Sequence, residues 1–478
     1  MTNELTWLSA CKIRDLVAKK EISALEVVDH FLGRIEELNP KLRAFAHVDA
    51  TGAREQARHA DEAVLSGGEL GPLHGVPVSV KEHIPVRGLP LITMPRLGTG
   101  GSRLARVDTI AVERLRNAGA IIVGLNTMMG TAGGGASRPE GRGVFVRFNW
   151  DAEARNPWDT SKVPGWSSSG GAAATAAGLV PVAIGSDGGG STRLPAAYSG
   201  VVGVHPTRGL VPSVNYEHPT FDLTSSVGPL ARDVRDAAVV TQAMAGPDGR
   251  DYICIQAQAP DLLASLEAGV DGLRFAWTDD FGYASLYAAE ESPRIIAHVR
   301  EAAFGLQSLG AQVEATGEVW EDPKRGGGPA EGEPFVYQIA VAPSQATLPS
   351  HSPQAYQDAA EERARNWDRF RRLFCEYDLL LSVTSQQVAP SVEAWDTAWT
   401  SGGHRYPHGT FAPTYVSHTV LFNLLGFPAV SVPCGFIDGL PVGLQIIGPP
   451  GREDVILRAA SAFQNLRPQN DRPPAGSS

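Results

Sequence analysis

Short apolar runs with no polar face recur along this chain, and they restrict what it can fold into. AIIVG (120–124), PVAIG (181–185), DLLLSVT (378–384), PAVSVPCG (428–435) and PVGLQIIG (441–448) are near-continuous in apolar residues rather than alternating. Strands of that kind are covered on both faces. Helical patterns sit between and around them: DTIAVERLRN precedes the first, GGAAATAA the second, and EDVILRAASAFQ closes the series. The alternation predicts an α/β fold, a mixed twisted β-sheet with helices on both faces.

The organisation expected is one domain over 1–470. It comprises an N-terminal helical arm (1–65), a core carrying the polar glycine-rich motifs (66–246), and the remaining sheet with its loops (247–470), before a flexible tail (471–478). In the arm, Ser23 caps a helix through ALEVVDHFLGRIEEL that is expected to stop at Asn39-Pro40. A second helix is expected over Ala50–Leu65. PVSVKEHI reads as a strand with Val76, Val78 and Val80 on one face and Ser79 and Lys81 on the other. RGGGPAEGEP (325–334) reads as a mobile surface loop.

Composition excludes several functions. The formal net charge is −11 and no Lys/Arg block stands out, which disfavours a nucleic-acid or anionic-membrane partner. Four scattered cysteines (Cys11, Cys254, Cys375, Cys434) give neither a disulfide framework nor a zinc site. The N-terminal residues lack a signal-peptide pattern, so a cytoplasmic enzyme is the default expectation. Residues 163–186 carry no charge over a length close to a membrane span, but Gly, Ser and Pro181 interrupt them. A small-residue helix followed by a buried strand is the better reading. No metal or cofactor motif is present.

Three polar clusters carry the chemistry. In SDGGGSTR (186–193), Gly188, Gly189, Gly190 and Ser191 present successive unshielded N–H groups, suited to a phosphate or to the oxyanion of acyl transfer. The phosphate reading lacks the Lys-Ser/Thr of a P-loop. The second cluster is PGWSSSGG (164–171), and the third is Lys81 at the end of its strand. There is no GxSxG elbow and no HExxH, so neither a Ser-His-Asp hydrolase nor a metallohydrolase has an anchor. What remains is a serine activated by a desolvated, neutral lysine.

The run NPWDTSKVPGWSSSGGAAATAAGLVPVAIGSDGGGSTRLPAAYSGVVGVHPTRG resembles the amidase signature family. GPLHGVPVSVKEHI, SVGPLARDV and FNLLGFPAVSVPCGF match further segments of it in order. The resemblance implies the amidase signature fold and a Ser-cisSer-Lys triad: Ser191 as nucleophile, Ser167 as bridging serine, Lys81 as base. It also implies an oxyanion hole at Gly188, Gly189, Gly190 and Ser191. Asp187 and Arg193 read as braces of the nucleophile loop.

The chain departs from the family pattern at three places. Trp166 replaces the usual Gly before the bridging serine; its ring either lines the substrate pocket or packs into the core. Gly188 replaces a Thr or Ile. GLNTMMGTA (124–132) replaces a segment with a lysine and a carboxylate, and places Met128, Met129 and Ala132 as candidate substrate contacts. Loop 395–411, rich in aromatics and glycine, is a candidate wall of the cleft. The expected activity is hydrolysis of neutral apolar amides (aryl and alkyl amides, anilides), with carbamates offering the same carbonyl. The alternative is a glutaminase-type subunit of a tRNA-dependent amidotransferase, which requires a partner protein. By analogy with relatives, a homodimer is compatible with the helical arm.

Overall fold

The computed structural model describes residues 2–91, 103–128, 154–213, 224–323, 353–394 and 413–474. Its strands are β1 (Phe45–Val48), β2 (Pro77–Lys81), β3 (Pro90–Leu91), β4 (Arg103–Leu104), β5 (Ile121–Asn126), β6 (Val182–Asp187), β7 (Val202–His205), β8 (Ser226–Ala231), β9 (Arg274–Trp277), β10 (Gln312–Ala315), β11 (Leu379–Val383), β12 (Ala429–Ile437) and β13 (Leu440–Ile447). Eleven of them form one mixed sheet in the order β1-β5-β2-β6-β8-β7-β12-β13-β11-β9-β10. The pair β3-β4 stands apart as a two-stranded ribbon.

Every residue of β2, β5, β6, β8, β11 and β13 is buried. Successive side chains point to opposite faces, so burial of a whole strand means cover on both sides. The apolar runs of the sequence are these interior strands. At the two edges the pattern relaxes: β1 is mostly half-buried, and β10 exposes three of its four residues.

Strand β2 pairs in parallel with both β5 and β6. Parallel neighbours need crossover connections, and helices supply them: Ile110–Asn117 leads into β5, and Ser169–Ala176 into β6. The second helix is built from SGGAAATA, and all eight residues are buried. Small side chains let it lie close to the strands. A Cβ on Gly170 would sit 2.4 Å from the carbonyl oxygen of Ala44 and 2.6 Å from that of Thr127, so no other residue fits there without moving backbone. This helix and most of β6 lie within the uncharged stretch 163–186. Among the described residues, no helix is long and apolar enough to cross a membrane.

In the arm, Ser23 and Glu26 form the expected capping box. The helix does not stop at Asn39-Pro40, however; it runs through Pro40 to Leu42. Proline removes only the hydrogen bond to the carbonyl of Glu36, an exposed residue. The turn is then closed by Arg43, whose N–H donates to Asn39 O at 2.7 Å with φ at +52°. The Asn39 side chain holds both the N–H and the carbonyl of Phe45, which fixes where β1 begins. The second arm helix, Ala50–Ser66, follows the expected span.

Candidate active site

Because β2 and β6 are parallel neighbours, their C-terminal ends emerge on one edge, the usual location of sites in such sheets. Lys81 ends β2, and Ser186 and Asp187 end β6. Ser167 and Ser168 sit in the turn that opens helix Ser169–Ala176, and Ser191 in the turn after β6. The two turns are tied directly, Ser168 N–H donating to Ser191 O at 3.1 Å.

Lys81 is 1% exposed. Its Nζ lies 2.7 Å from Ser167 Oγ, 3.0 Å from Ser168 Oγ, 3.1 Å from Ser186 Oγ and 3.3 Å from Ser186 O. Burial lowers its pKa from the ordinary 10.5 to about 7, against the opposing pull of the Asp187 and Glu82 carboxylates. A lysine in that condition is available as a neutral base near neutral pH.

Asp187 is fully buried beneath the turn that carries Ser191. It accepts from the N–H groups of Gly190, Thr192 and Arg193, from Arg193 Nε and Nη2, and from Asn423 Nδ2. Burial alone would raise its pKa; the Arg193 guanidinium and the remaining donors overcome that and hold it far below the carboxylate range. Arg193 Nη1 also reaches Thr419 O and Gln445 Oε1. Through these bonds Asp187 and Arg193 hold the loop that carries Ser191.

The glycines behave differently from expectation at one position. Gly190 N–H donates to Asp187 Oδ1 at 2.6 Å, while the carbonyl of the same peptide, Gly189 O, accepts from Thr419 Oγ1 at 2.7 Å. A trans peptide points its N–H and C=O in opposite directions, so this plane is pinned from both sides. Gly190 therefore braces the loop and its N–H is not offered to a ligand. Among the described residues, no hydrogen bond takes up the N–H of Gly188, Gly189 or Ser191. Gly188 is half-buried, whereas Gly189 and Ser191 are buried.

The expected cis bond before Ser167 is also corrected. Among the described residues no peptide bond is cis. Gly165, two residues before Ser167, has φ +128°. Ser167 Oγ still reaches Lys81 across a trans bond.

A chain-wide comparison adds to this geometry. The family model described as Amidase matches residues 26–317 and 334–457. The chain belongs to the amidase signature family. Its relatives include a glutamyl-tRNA(Gln) amidotransferase subunit from Symbiobacterium thermophilum, 34% identical over 98% of both chains. An acylamidase of Rhodococcus erythropolis is 31% identical, with 99% of this chain and 98% of the relative covered. Among solved structures, a bacterial aryl acylamidase of the amidase signature enzymes superposes with a TM-score of 0.79 at 26% identity, covering 97% of this chain and 96% of its own.

Within this amidase signature chain, Trp166 is half-buried. It packs against the buried cluster that contains Leu194, Val416 and Val420 and also against Val163, its ring 6.4 Å from that of Tyr415. Its ring thus belongs to an apolar wall between the Ser167 turn and the helix that follows Ser191. Met128 is buried, and its N–H donates to Glu82 Oε1 at 2.6 Å. Met129, Ala132, the loop 395–411 and the segment 325–334 lie outside the described residues. Sequence reasoning missed Ser168, Ser186, Thr419, Asn423 and Gln445. The two serines had a signal, since each adjoins a motif residue; the other three lie more than two hundred residues from Ser191 and had none.

Proposed function

We propose that this amidase signature protein is a serine hydrolase of neutral apolar amides, aryl and alkyl amides and anilides, with aryl carbamates accepted at the same carbonyl. The observation that carries the reading is the buried Lys81 held 2.7 Å from Ser167 Oγ, with the adjoining Ser168 N–H bonded to the carbonyl of Ser191. Lys81, neutral, takes the proton of Ser191 through Ser167 as Ser191 Oγ attacks the carbonyl carbon. The N–H groups of Gly188, Gly189 and Ser191 are the donors left for the oxyanion. The proton returns through Ser167 to the leaving nitrogen, the C–N bond breaks, and water hydrolyses the acyl-enzyme by the same relay.

Among the described residues no hydrogen bond joins Ser167 Oγ to Ser191 Oγ. The relay closes that link when substrate is seated, as catalytic hydrogen bonds commonly tighten only then. The apolar wall at Trp166, Leu194 and Val416 supports an apolar substrate group beside the serines.

The likeness to amidotransferase subunits supports a second reading, a glutaminase working with partner proteins. It requires recognition of a charged amino acid, which the Trp166 wall does not provide. Product release from 4-nitroacetanilide, an aryl carbamate and glutamine, with Ser191→Ala as control, separates the two. Anilide or carbamate cleavage abolished in Ser191→Ala supports the hydrolase. Turnover of glutamine alone overturns it in favour of the glutaminase.

A further inference from the structure

A neutral primary amine has two hydrogens and one lone pair, and Lys81 has four oxygens within reach. Only an arrangement with the lone pair on Ser167 lets the lysine accept a proton from that hydroxyl. The hydrogens must then be taken by the other oxygens. Ser168 Oγ has its own hydrogen committed to Ser186 O at 3.1 Å, so toward Lys81 it can only accept. Ser186 Oγ is the undecided partner. Its hydrogen points either at the lysine lone pair, competing with Ser167, or away from it. His83 Nε2 lies 3.2 Å from Ser186 Oγ, and in the tautomer that carries its hydrogen on Nδ1 it offers the Ser186 hydrogen a second acceptor.

We propose that His83 is a positioning residue for the base: by accepting the Ser186 hydroxyl hydrogen it makes Ser186 Oγ an acceptor for Lys81, and so leaves the Lys81 lone pair facing Ser167. The inference rests on the triad reading above. It assigns a function to the histidine of the KEHI segment, half-buried two residues beyond the base. No atom is transferred to His83; it acts through Ser186 on the direction of one hydrogen bond. The chain is Ser167 O–H to Lys81 N, Lys81 N–H to Ser186 Oγ, Ser186 O–H to His83 Nε2.

The test uses the full chain with 4-nitroacetanilide and compares His83→Leu, His83→Gln and Ser186→Ala with wild type, each checked for folding by its melting temperature. His83→Leu removes the acceptor, and kcat is expected to fall about tenfold with KM unchanged, the scale of one misdirected hydrogen bond. His83→Gln supplies Oε1 as acceptor and is expected to recover most of that loss. Ser186→Ala removes the undecided hydroxyl while leaving Ser168 Oγ and Ser186 O as acceptors, so little further loss is expected when His83→Leu is added to it. Wild-type kcat in His83→Leu overturns the proposal. So does a His83→Gln as impaired as His83→Leu, because the side chain would then act by its packing alone. If His83→Leu does not fold, His83→Gln is combined with Ser186→Ala instead: near-wild-type kcat in His83→Gln supports the proposal, and a loss that persists undiminished on the Ser186→Ala background overturns it. Ser191→Ala and Lys81→Ala run alongside: activity surviving in them defeats the triad itself, whereas their inactivity beside a normal His83→Leu defeats only this inference.

Discussion

Asp187 and Arg193 form an ion pair with no exposure on either side chain, Arg193 Nε donating to Oδ2 at 2.9 Å and Nη2 to Oδ1 at 3.1 Å. The carboxylate also accepts three backbone N–H groups of the loop that carries Ser191. One buried charge thereby holds the turn that carries Ser191, and its partner offsets the cost of burying it.

Removing either partner leaves an uncompensated charge in the interior. Asp187→Ala and Arg193→Leu should each lose about 3–5 kcal/mol of stability. Chemical denaturation checks this. The double variant should lose less than the sum of the two, since residues in one network are strongly coupled. Additive losses would show that the pair does not act as a unit.

Activity should depend on the neutral form of Lys81. Its pKa is lowered by burial to about 7, so the lysine is charged below that value and neutral above it. The acid limb of a kcat/KM profile is therefore expected to rise with pH through about 7 and level off above. A profile flat from pH 5 to 9 would remove Lys81 from the base role.

Lys81→Met should be inactive yet melt at a higher temperature than wild type. The folded pKa lies below the unfolded one, so the unfolded chain binds the extra proton between them and stability rises with pH over that window. The penalty of burying the charge is full below about 7 and fades as pH climbs toward 10.5. The melting-temperature gain of Lys81→Met should accordingly be larger at pH 6 than at pH 8.5. Thermal scans at the two pH values decide it.

Gly190→Ala should abolish activity while the rest of the fold survives. Gly190 has φ +126°, and a Cβ there would lie 2.3 Å from Thr419 Oγ1. The Gly189–Gly190 peptide would lose its clamp between Thr419 and Asp187, and the nucleophile turn would shift. Adding Thr419→Ala removes only the Oγ1 contact; the Cβ of residue 419 and Leu194 Cδ1 each remain 2.9 Å away and the backbone stays strained, so only partial recovery of kcat is expected. Full recovery would mean that the contact alone mattered.

Both strand runs and motif residues were legible for local reasons. PVAIG and PVGLQIIG have no polar face, and that alone commits them to a sheet interior. Lys81 at the end of such a run, and glycines directly before Ser191, break local preference so sharply that chemistry is the natural explanation. The helix through Pro40 was misread because its loss falls on a solvent-facing carbonyl, which a proline rule does not weigh.

From sequence alone, then, the chain determined its interior strands and its crossover helix of small residues, and it nominated Lys81, Ser167 and Ser191 as candidates, because each is written in a few consecutive residues. Only the tertiary structure decided that the Gly190 N–H faces Asp187, that Ser167 is reached through a trans bond, and that Asn423, Thr419 and Gln445 meet Arg193 from the far end of the chain. The direction of a peptide plane and the partner of a buried charge depend on groups brought together by the whole sheet, and no window of sequence contains them.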